Sequence, residues 1–576
     1  MRGWSELAER VGGTTRTTEK TAILARYLAE LPGEELRPAA TFLTGRPFSE
    51  ADQRAVGLGW ATIAAAVSSL AGASAGALGE AYDRSSDLGT AVADLLSLRT
   101  AQPDPEAAPT LREVADAFAA IEVAPGSAAK AAVFAAVLGR CDPLPAKYVV
   151  KILTGELRIG LREGLLEAAI AQAFDRPQSA VSWAGMLTGD MGETAVLAKE
   201  GRLDEARLRL FHPLRFMLAS PSEDATEIMA RLGPQVWVED KYDGIRAQLH
   251  RRGSEVRLYS RELHDISEQF PEIVDAARGL PWDGILDGEI LAYAGGRVLP
   301  FLTLQARLGR KDPGAQMLSQ VPVIYVVFDV LAVGPHSGLD GDATVEPLLQ
   351  VPLVERRARL EALDLPRAVD GGSFALSHLV TADSVAALDR VFTEARARRN
   401  EGLMVKDPAS AYSPGRRGLG WLKMKRALAT IDCVVVGVEV GHGKRHAVLS
   451  DYTFAVRDEA TERLVTIGKA YTGLTDAEIS EMTAWFEAHT LRRLGRFRQV
   501  EPTVVVEVAF DVIQRSARHQ SGFALRFPRI VRIRTDKGPG QIDTLQTVER
   551  LYRELQDGAE YLVTANSRRP REVLPS

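Results

Sequence analysis

Cysteine is nearly absent from this chain of 576 residues, which has only Cys141 and Cys433, far apart in sequence. That spacing favours two buried thiols and excludes a disulfide framework or a multi-cysteine zinc module. Long apolar runs are also missing. No window approaches about 18 uninterrupted apolar residues, and Met1-Arg2-Gly3-Trp4-Ser5-Glu6 has no apolar signal core. A cytoplasmic protein without membrane contact is therefore expected, nucleoid-associated if prokaryotic. There is no G-x-x-x-x-G-K-[ST] loop, so a P-loop does not hold any nucleotide here. Gly415, Gly418 and Gly420 miss the G-x-G-x-x-G spacing and read instead as a flexible turn before a strand. No internal repeat, polymerase segment or nuclease segment is apparent.

What is present is ordinary for a globular protein, with 46% hydrophobic and 25% charged residues. The length suggests roughly three or four domains, and the pattern changes twice along the chain. Residues 1–210 hold Ala- and Leu-rich helical patterns, as at Ala61–Leu78, Ala129–Leu138 and Leu165–Phe174, with almost no alternating β-branched runs. An all-α domain is expected there. From about Ala427 onward, strands are expected at Ile431–Val440, Asp451–Val456, Leu464–Lys469, Thr503–Phe510 and Ile530–Arg534, interrupted by a helix at Asp476–His489. Five short strands with one helix are consistent with a small OB-like barrel. The polar tail Asn566–Ser576 is expected to be mobile. The expected domains are thus all-α at 1–210, α+β at 211–427 and β-rich at 428–576.

The middle segment carries the chemistry. Lys241 lies in Val238-Glu239-Asp240-Lys241-Tyr242-Asp243-Gly244-Ile245-Arg246, between two alternating strand patterns with Asp243-Gly244 as the turn. A lysine is almost wholly ammonium at neutral pH, so a nucleophilic one needs desolvation or cationic neighbours to lose its proton. A second strand, Val256 to Ser260, delivers Arg261. Glu289 interrupts an apolar strand, and a lone buried carboxylate is costly unless paired or metal-bound. Phe328 sits in a β-branched strand whose simplest reading is central core. Glu401 stands at the mouth of Gly402-Leu403-Met404-Val405-Lys406, and the two-residue strand period points Lys423 and Lys425 to one face. Together these make a site with one candidate nucleophile, acids suited to a metal and several cations for a polyphosphate.

This ordered set resembles the motifs of the covalent nucleotidyltransferases, and most closely those of the ATP-dependent DNA ligases. The resemblance implies that Lys241 attacks the α-phosphate of ATP to form lysyl-AMP, with pyrophosphate released. It implies that Glu239 reads the adenine amino group, that Phe328 stacks on the purine, and that Arg246 and Arg261 hold the ribose and phosphate side. Glu289 and Glu401 match the acidic positions associated with the divalent metal and the ribose, while Arg417, Lys423 and Lys425 match phosphate contacts. The last motif appears as Arg526-Phe527-Pro528-Arg529-Ile530-Val531-Arg532-Ile533-Arg534-Thr535-Asp536-Lys537, and implies contacts from Arg534 and Lys537 to the pyrophosphate. Leu153–Leu161 resembles part of the helical DNA-binding domain of archaeal and eukaryotic ligases. A proline usually stands in the family where Phe216 does here.

The chemistry accounts for these residue types on its own terms. Nucleotidyl transfer is driven by positioning and by cations that neutralise phosphate charge, and Mg²⁺ takes one or two carboxylates plus substrate oxygens. ATP with Mg²⁺ or Mn²⁺ is expected rather than NAD, because NAD-dependent ligases characteristically carry a four-cysteine zinc module. The expected partner is nicked double-stranded DNA, acted on by a monomer. The formal charge of −6 runs against this. Its distribution does not, since residues 491–537 hold eleven Lys and Arg against four acids. An RNA ligase or capping guanylyltransferase shares the lysine motif but would lack the helical N-terminal domain. A non-catalytic DNA clamp would have lost Lys241, Glu289 or Lys423, and none is lost.

Overall fold

The computed structural model describes residues 1–576 except 102, 105–106, 223, 337–344, 367–372, 398–399, 426–428, 442–444, 446–447, 557–559 and 562–576. The expected change of pattern at Ala427 and the tail Asn566–Ser576 lie outside the described residues. Cys141 and Cys433 are both buried free thiols. No described helix is long and apolar enough to cross a membrane.

The first 200 residues form a helical assembly around one apolar core that includes Trp4, Leu24, Phe42, Phe118, Phe134 and Val149. The expected helix at Ala61–Leu78 is two helices, Trp60–Ala71 and Ala77–Ser85, because Gly72 adopts φ +62° and caps the first. The segment around Arg158 is the loop between the helices Pro143–Thr154 and Glu163–Ala173, with Arg158 and Gly160 at positive φ.

The middle segment contains two sheets. One is five-stranded; its strand Val236–Lys241 lies between Leu379–Ala382 and the central strand Gly402–Lys406, the latter pairing in turn with Arg417–Met424. Alternation explains its two faces. Val236, Val238, Leu403, Val405, Leu422 and Met424 form one apolar core with the helices Ala225–Leu232 and Val385–Ala397. The intervening residues, Glu239, Lys241, Met404, Lys406, Lys423 and Lys425, share the other face.

Strand Ile245–Arg252 belongs to a different, antiparallel sheet, with Glu255–Ser260, Trp282–Ala294 and Val323–Pro335. Tyr242-Asp243-Gly244 is therefore a crossing between sheets rather than a hairpin. Gly244 is required there, since a Cβ would lie 2.4 Å from the Ile290 carbonyl oxygen. The expected flexible turn at Gly415–Gly420 is corrected: Gly418 and Gly420 lie inside the strand Arg417–Met424. At Gly420 the requirement is close packing, because a Cβ would meet Ser410 Cβ at 2.7 Å.

The C-terminal segment is β-rich, with a seven-stranded sheet and the helix Asp476–Ala488. The expected strands appear as Ala429–Val440, Leu449–Arg457, Leu464–Ala470, Val505–Phe510 and Arg529–Ile533. Two hairpins were not foreseen, Thr490–Leu494 with Phe497–Val500 and Val512–Arg515 with Phe523–Arg526. The first is rich in exposed arginine and the second has only four residues a side, so neither offers a long apolar alternation to read.

Candidate active site

Strand register brings the candidates together. Lys241 stands opposite Gly402, which must be glycine, since its φ is +155° and a Cβ would meet the Met424 carbonyl oxygen at 2.2 Å. Lys241 Nζ is ion-paired with Glu401 Oε2, and Lys425 Nζ approaches the same oxygen at 2.6 Å. Burial disfavours charge on Lys241, but Glu401, Glu289 and Asp243 outweigh it and hold the ammonium above its ordinary range. The expected depression of this pKa is thus corrected, because Glu401, Glu289 and Asp243 together outweigh burial at the amine. Lys423 is depressed instead, by burial and then by Lys425, Lys241, Arg417 and Arg261. For Glu401, burial is overcome by Lys241 and Lys425, which lower its carboxyl to about 2.

Glu289 lies directly across from Arg246 on the neighbouring sheet. Burial pushes its carboxyl up to about 7, against the pull of Lys241 and Arg246. Its negative charge is thus under-compensated by the protein. Among the described residues no group of three or more His, Cys, Asp or Glu is arranged to hold a metal. Glu289, whose charge is unmet, and Glu401 near it nevertheless fit Mg²⁺ chemistry, which needs few protein oxygens.

Arg246 is tied down on every side. It binds Asp287 with two hydrogen bonds of 3.1 and 2.7 Å and donates to the Met217 carbonyl oxygen at 2.7 Å. Its guanidinium lies 4.9 Å from the Phe216 ring centre and 5.3 Å from that of Phe328. Phe216, standing where the family usually has proline, is buried and forms one wall of this stack. The fully buried Asp287 also accepts from Tyr412 Oη at 2.7 Å.

Glu239 is buried, with Lys406 Nζ 2.5 Å from one oxygen and Ser377 Oγ donating to the other at 2.9 Å. Lys406 also lies 4.7 Å from the Phe328 ring centre and 4.4 Å from that of Trp421. Arg261 and Arg417 are exposed at the end and start of their strands, near enough to act on Lys423. Arg534 and Lys537 are not gathered here. Arg534 binds Asp432 at 3.0 Å and Asp536 at 2.7 Å, and Lys537 binds Asp432 at 2.5 Å. The C-terminal segment reaches the site through other residues: Arg526 pairs with Asp243, and Asp511 lies 3.4 Å from Lys425.

Sequence reasoning passed over Asp287, Lys406, Ser377, Tyr412 and Arg526 as site residues. Asp287 and Lys406 carried a signal, because each falls in the two-residue period of a strand already singled out, with Glu289 and Met404 respectively. Ser377 and Tyr412 lie in connections and carried none.

Comparison with known proteins agrees with this architecture along most of the chain. Residues 2–171 match the model described as DNA ligase N terminus, 216–425 that of the ATP dependent DNA ligase domain, and 445–537 that of the ATP dependent DNA ligase C terminal region. The chain is 46% identical to a probable DNA ligase of Koribacter versatilis over 568 residues, covering 95% of this chain and 96% of that protein. It is 33% identical to a DNA ligase of Archaeoglobus fulgidus, covering 96% of this chain and 98% of that one. Among solved structures, Pmar-Lig_PreS3 shares the fold with a TM-score of 0.55 at 14% identity, covering 92% of this chain and 99% of that one. The chain therefore belongs to the ATP-dependent DNA ligases, the family that seals nicked duplex DNA by way of adenylation.

Proposed function

We propose that Lys241 is the nucleophile of this ligase and that the residues gathered around it divide the work of adenylation. The Lys241 amine attacks the α-phosphorus of ATP, a P–N bond forms, the α–β phosphoanhydride bond breaks and pyrophosphate leaves. The placement of Glu401 against Nζ supports it as the group that orients the lysine, whose proton passes to solvent before the amine attacks. AMP then passes to the 5′-phosphate of a nick, and the 3′-hydroxyl displaces it to form the phosphodiester.

Glu239, steadied by Lys406 and Ser377, accepts from the adenine amino group, and Phe328 stacks on the base. Arg246, spent on Asp287 and Met217, acts through the shape of this pocket, while Arg261, Arg417, Lys423 and Lys425 meet phosphate and ribose oxygens. Glu289 and Glu401 would hold Mg²⁺ or Mn²⁺, which when bound neutralises charge on phosphate oxygens. Arg534 and Lys537 act on the pyrophosphate only after leaving Asp432, which requires the C-terminal segment to turn. The working units are residues 1–210, 211–427 and 428–576, acting as a cytoplasmic monomer on nicked duplex DNA.

The observation that carries this reading is the shared face of Glu239, Lys241, Lys423 and Lys425 on one sheet. The test is labelled ATP with purified protein. Label retained on the wild type and absent from Lys241→Arg supports the assignment, and label on both removes it.

A further inference from the structure

Arg356 and Arg357 are buried neighbours on the helix Leu353–Ala362, and each is tied to one wall of the base pocket. Arg356 binds Asp329, next in sequence to Phe328, through two hydrogen bonds of 2.8 Å. Arg357 turns to Ser377, donating from Nη1 to the hydroxyl and from Nη2 to the carbonyl oxygen, each at 2.8 Å. Ser377 lies where the chain passes from one sheet to the other. The strand Phe374–Leu376 before it pairs with the strand of Phe328, and Leu379–Ala382 after it pairs with that of Glu239. The Ser377 N–H also donates to the Val327 carbonyl oxygen at 2.9 Å. Stacking ring and reading acid are thus joined through this crossing, and Arg357 pins it.

Hydrogen-bond direction gives Arg357 more than a packing role. A guanidinium donates and never accepts, whereas a serine hydroxyl has one proton and two lone pairs. With Arg357 donating into a lone pair, the Ser377 proton has to point elsewhere, and Glu239 Oε1 receives it at 2.9 Å. Arg357 Nη1 itself lies 3.6 Å from that oxygen, and Lys406 holds the other. All three groups are donors, so the carboxylate is fixed in place and presents lone pairs to whatever enters the pocket. Lone pairs suit the amino group at C6 of adenine and repel a C6 carbonyl. We infer that Arg357 is a specificity-determining positioning residue, which acts through Ser377 to orient Glu239 and so restricts the enzyme to adenine nucleotides.

The inference rests on Glu239 as the reader of the base, and the assays separate the two. ATP and inosine triphosphate are compared as substrates for covalent enzyme-nucleotide formation, because hypoxanthine carries a carbonyl where adenine carries its amino group. The wild type is expected to prefer ATP in kcat/KM by about a hundred-fold or more. Arg357→Gln and Ser377→Ala should each narrow that preference about ten-fold, through a raised KM for ATP with kcat little changed. The double variant should do little more than either alone, since both substitutions break one chain of hydrogen bonds. Ser377→Ala leaves no charge unpaired and carries the test on its own if Arg357→Gln loses its fold. A purely structural role would lower the melting temperature and slow both nucleotides alike. A preference for ATP equal to that of the wild type in the variants, whatever their melting temperatures, therefore overturns the inference and leaves Glu239 as reader. Wild type that takes inosine triphosphate as readily as ATP removes Glu239 from that role and the inference with it. Absence of any covalent nucleotide from the wild type would instead sink the adenylation reading beneath both.

Discussion

Arg526 of the C-terminal segment is ion-paired with Asp243, two residues beyond Lys241. Arg526 also lies 4.6 Å from the Phe301 ring centre, and Asp511 reaches Lys425 at 3.4 Å, so the barrel closes on the mouth of the site. In this arrangement Arg534 and Lys537 face their own Asp432. The barrel thus has one set of cations engaged at the site and another held in reserve.

The two sets should separate kinetically. Arg534→Ala and Lys537→Ala should slow enzyme-AMP formation by about a hundred-fold or more, as expected for cations acting on a leaving group. Sealing of a nick already carrying 5′-AMP should stay close to wild type, since no pyrophosphate takes part. Single-turnover sealing of both substrates checks this. Equal loss on both would make these residues general DNA contacts.

Lys406→Met should damage both stability and nucleotide binding. It leaves Glu239 as a buried carboxylate without its closest cation, which typically costs about 3–5 kcal/mol. The expected outcome is a lower melting temperature together with a raised KM for ATP in adenylation. A variant with unchanged melting and unchanged KM would show that the pair does not position Glu239.

A pH effect follows from the linker. His250 Nδ1 accepts the Phe211 N–H at 3.0 Å, and Gln248 exchanges hydrogen bonds with the Leu214 backbone, so alternate residues of one strand stitch the incoming linker to the sheet. Burial lowers the His250 pKa to about 3. The unfolded chain takes up this proton near pH 6.5 and the folded chain does not, so stability falls as pH drops from about 6.5 towards 3. By pH 5 this amounts to about 2 kcal/mol. His250→Asn can keep the acceptor without the titration, and its melting temperature should fall less steeply with acid than that of the wild type. Parallel curves would assign the acid sensitivity elsewhere.

How much of this was legible in the sequence depends on range. The two-residue period put Lys423 and Lys425 on one face, because strand period is a local property. It could not show that Val236–Lys241 and Ile245–Arg252 belong to different sheets, since that depends on partners as distant as Gly402 and Glu289. The Lys241 pKa was misjudged for the same reason. Its decisive neighbour, Glu401, lies 160 residues away. The basic stretch was visible as composition, yet which of its charges are answered depended on Asp243, Asp432, Glu487 and Glu507.

The central claim is that Lys241 carries the AMP, and peptide mass spectrometry after incubation with ATP and Mg²⁺ tests it most directly. The account predicts one AMP on the peptide containing Lys241, discharged when pyrophosphate or nicked DNA is added. AMP on a different residue, or strand joining by Lys241→Arg at the wild-type rate, would contradict it.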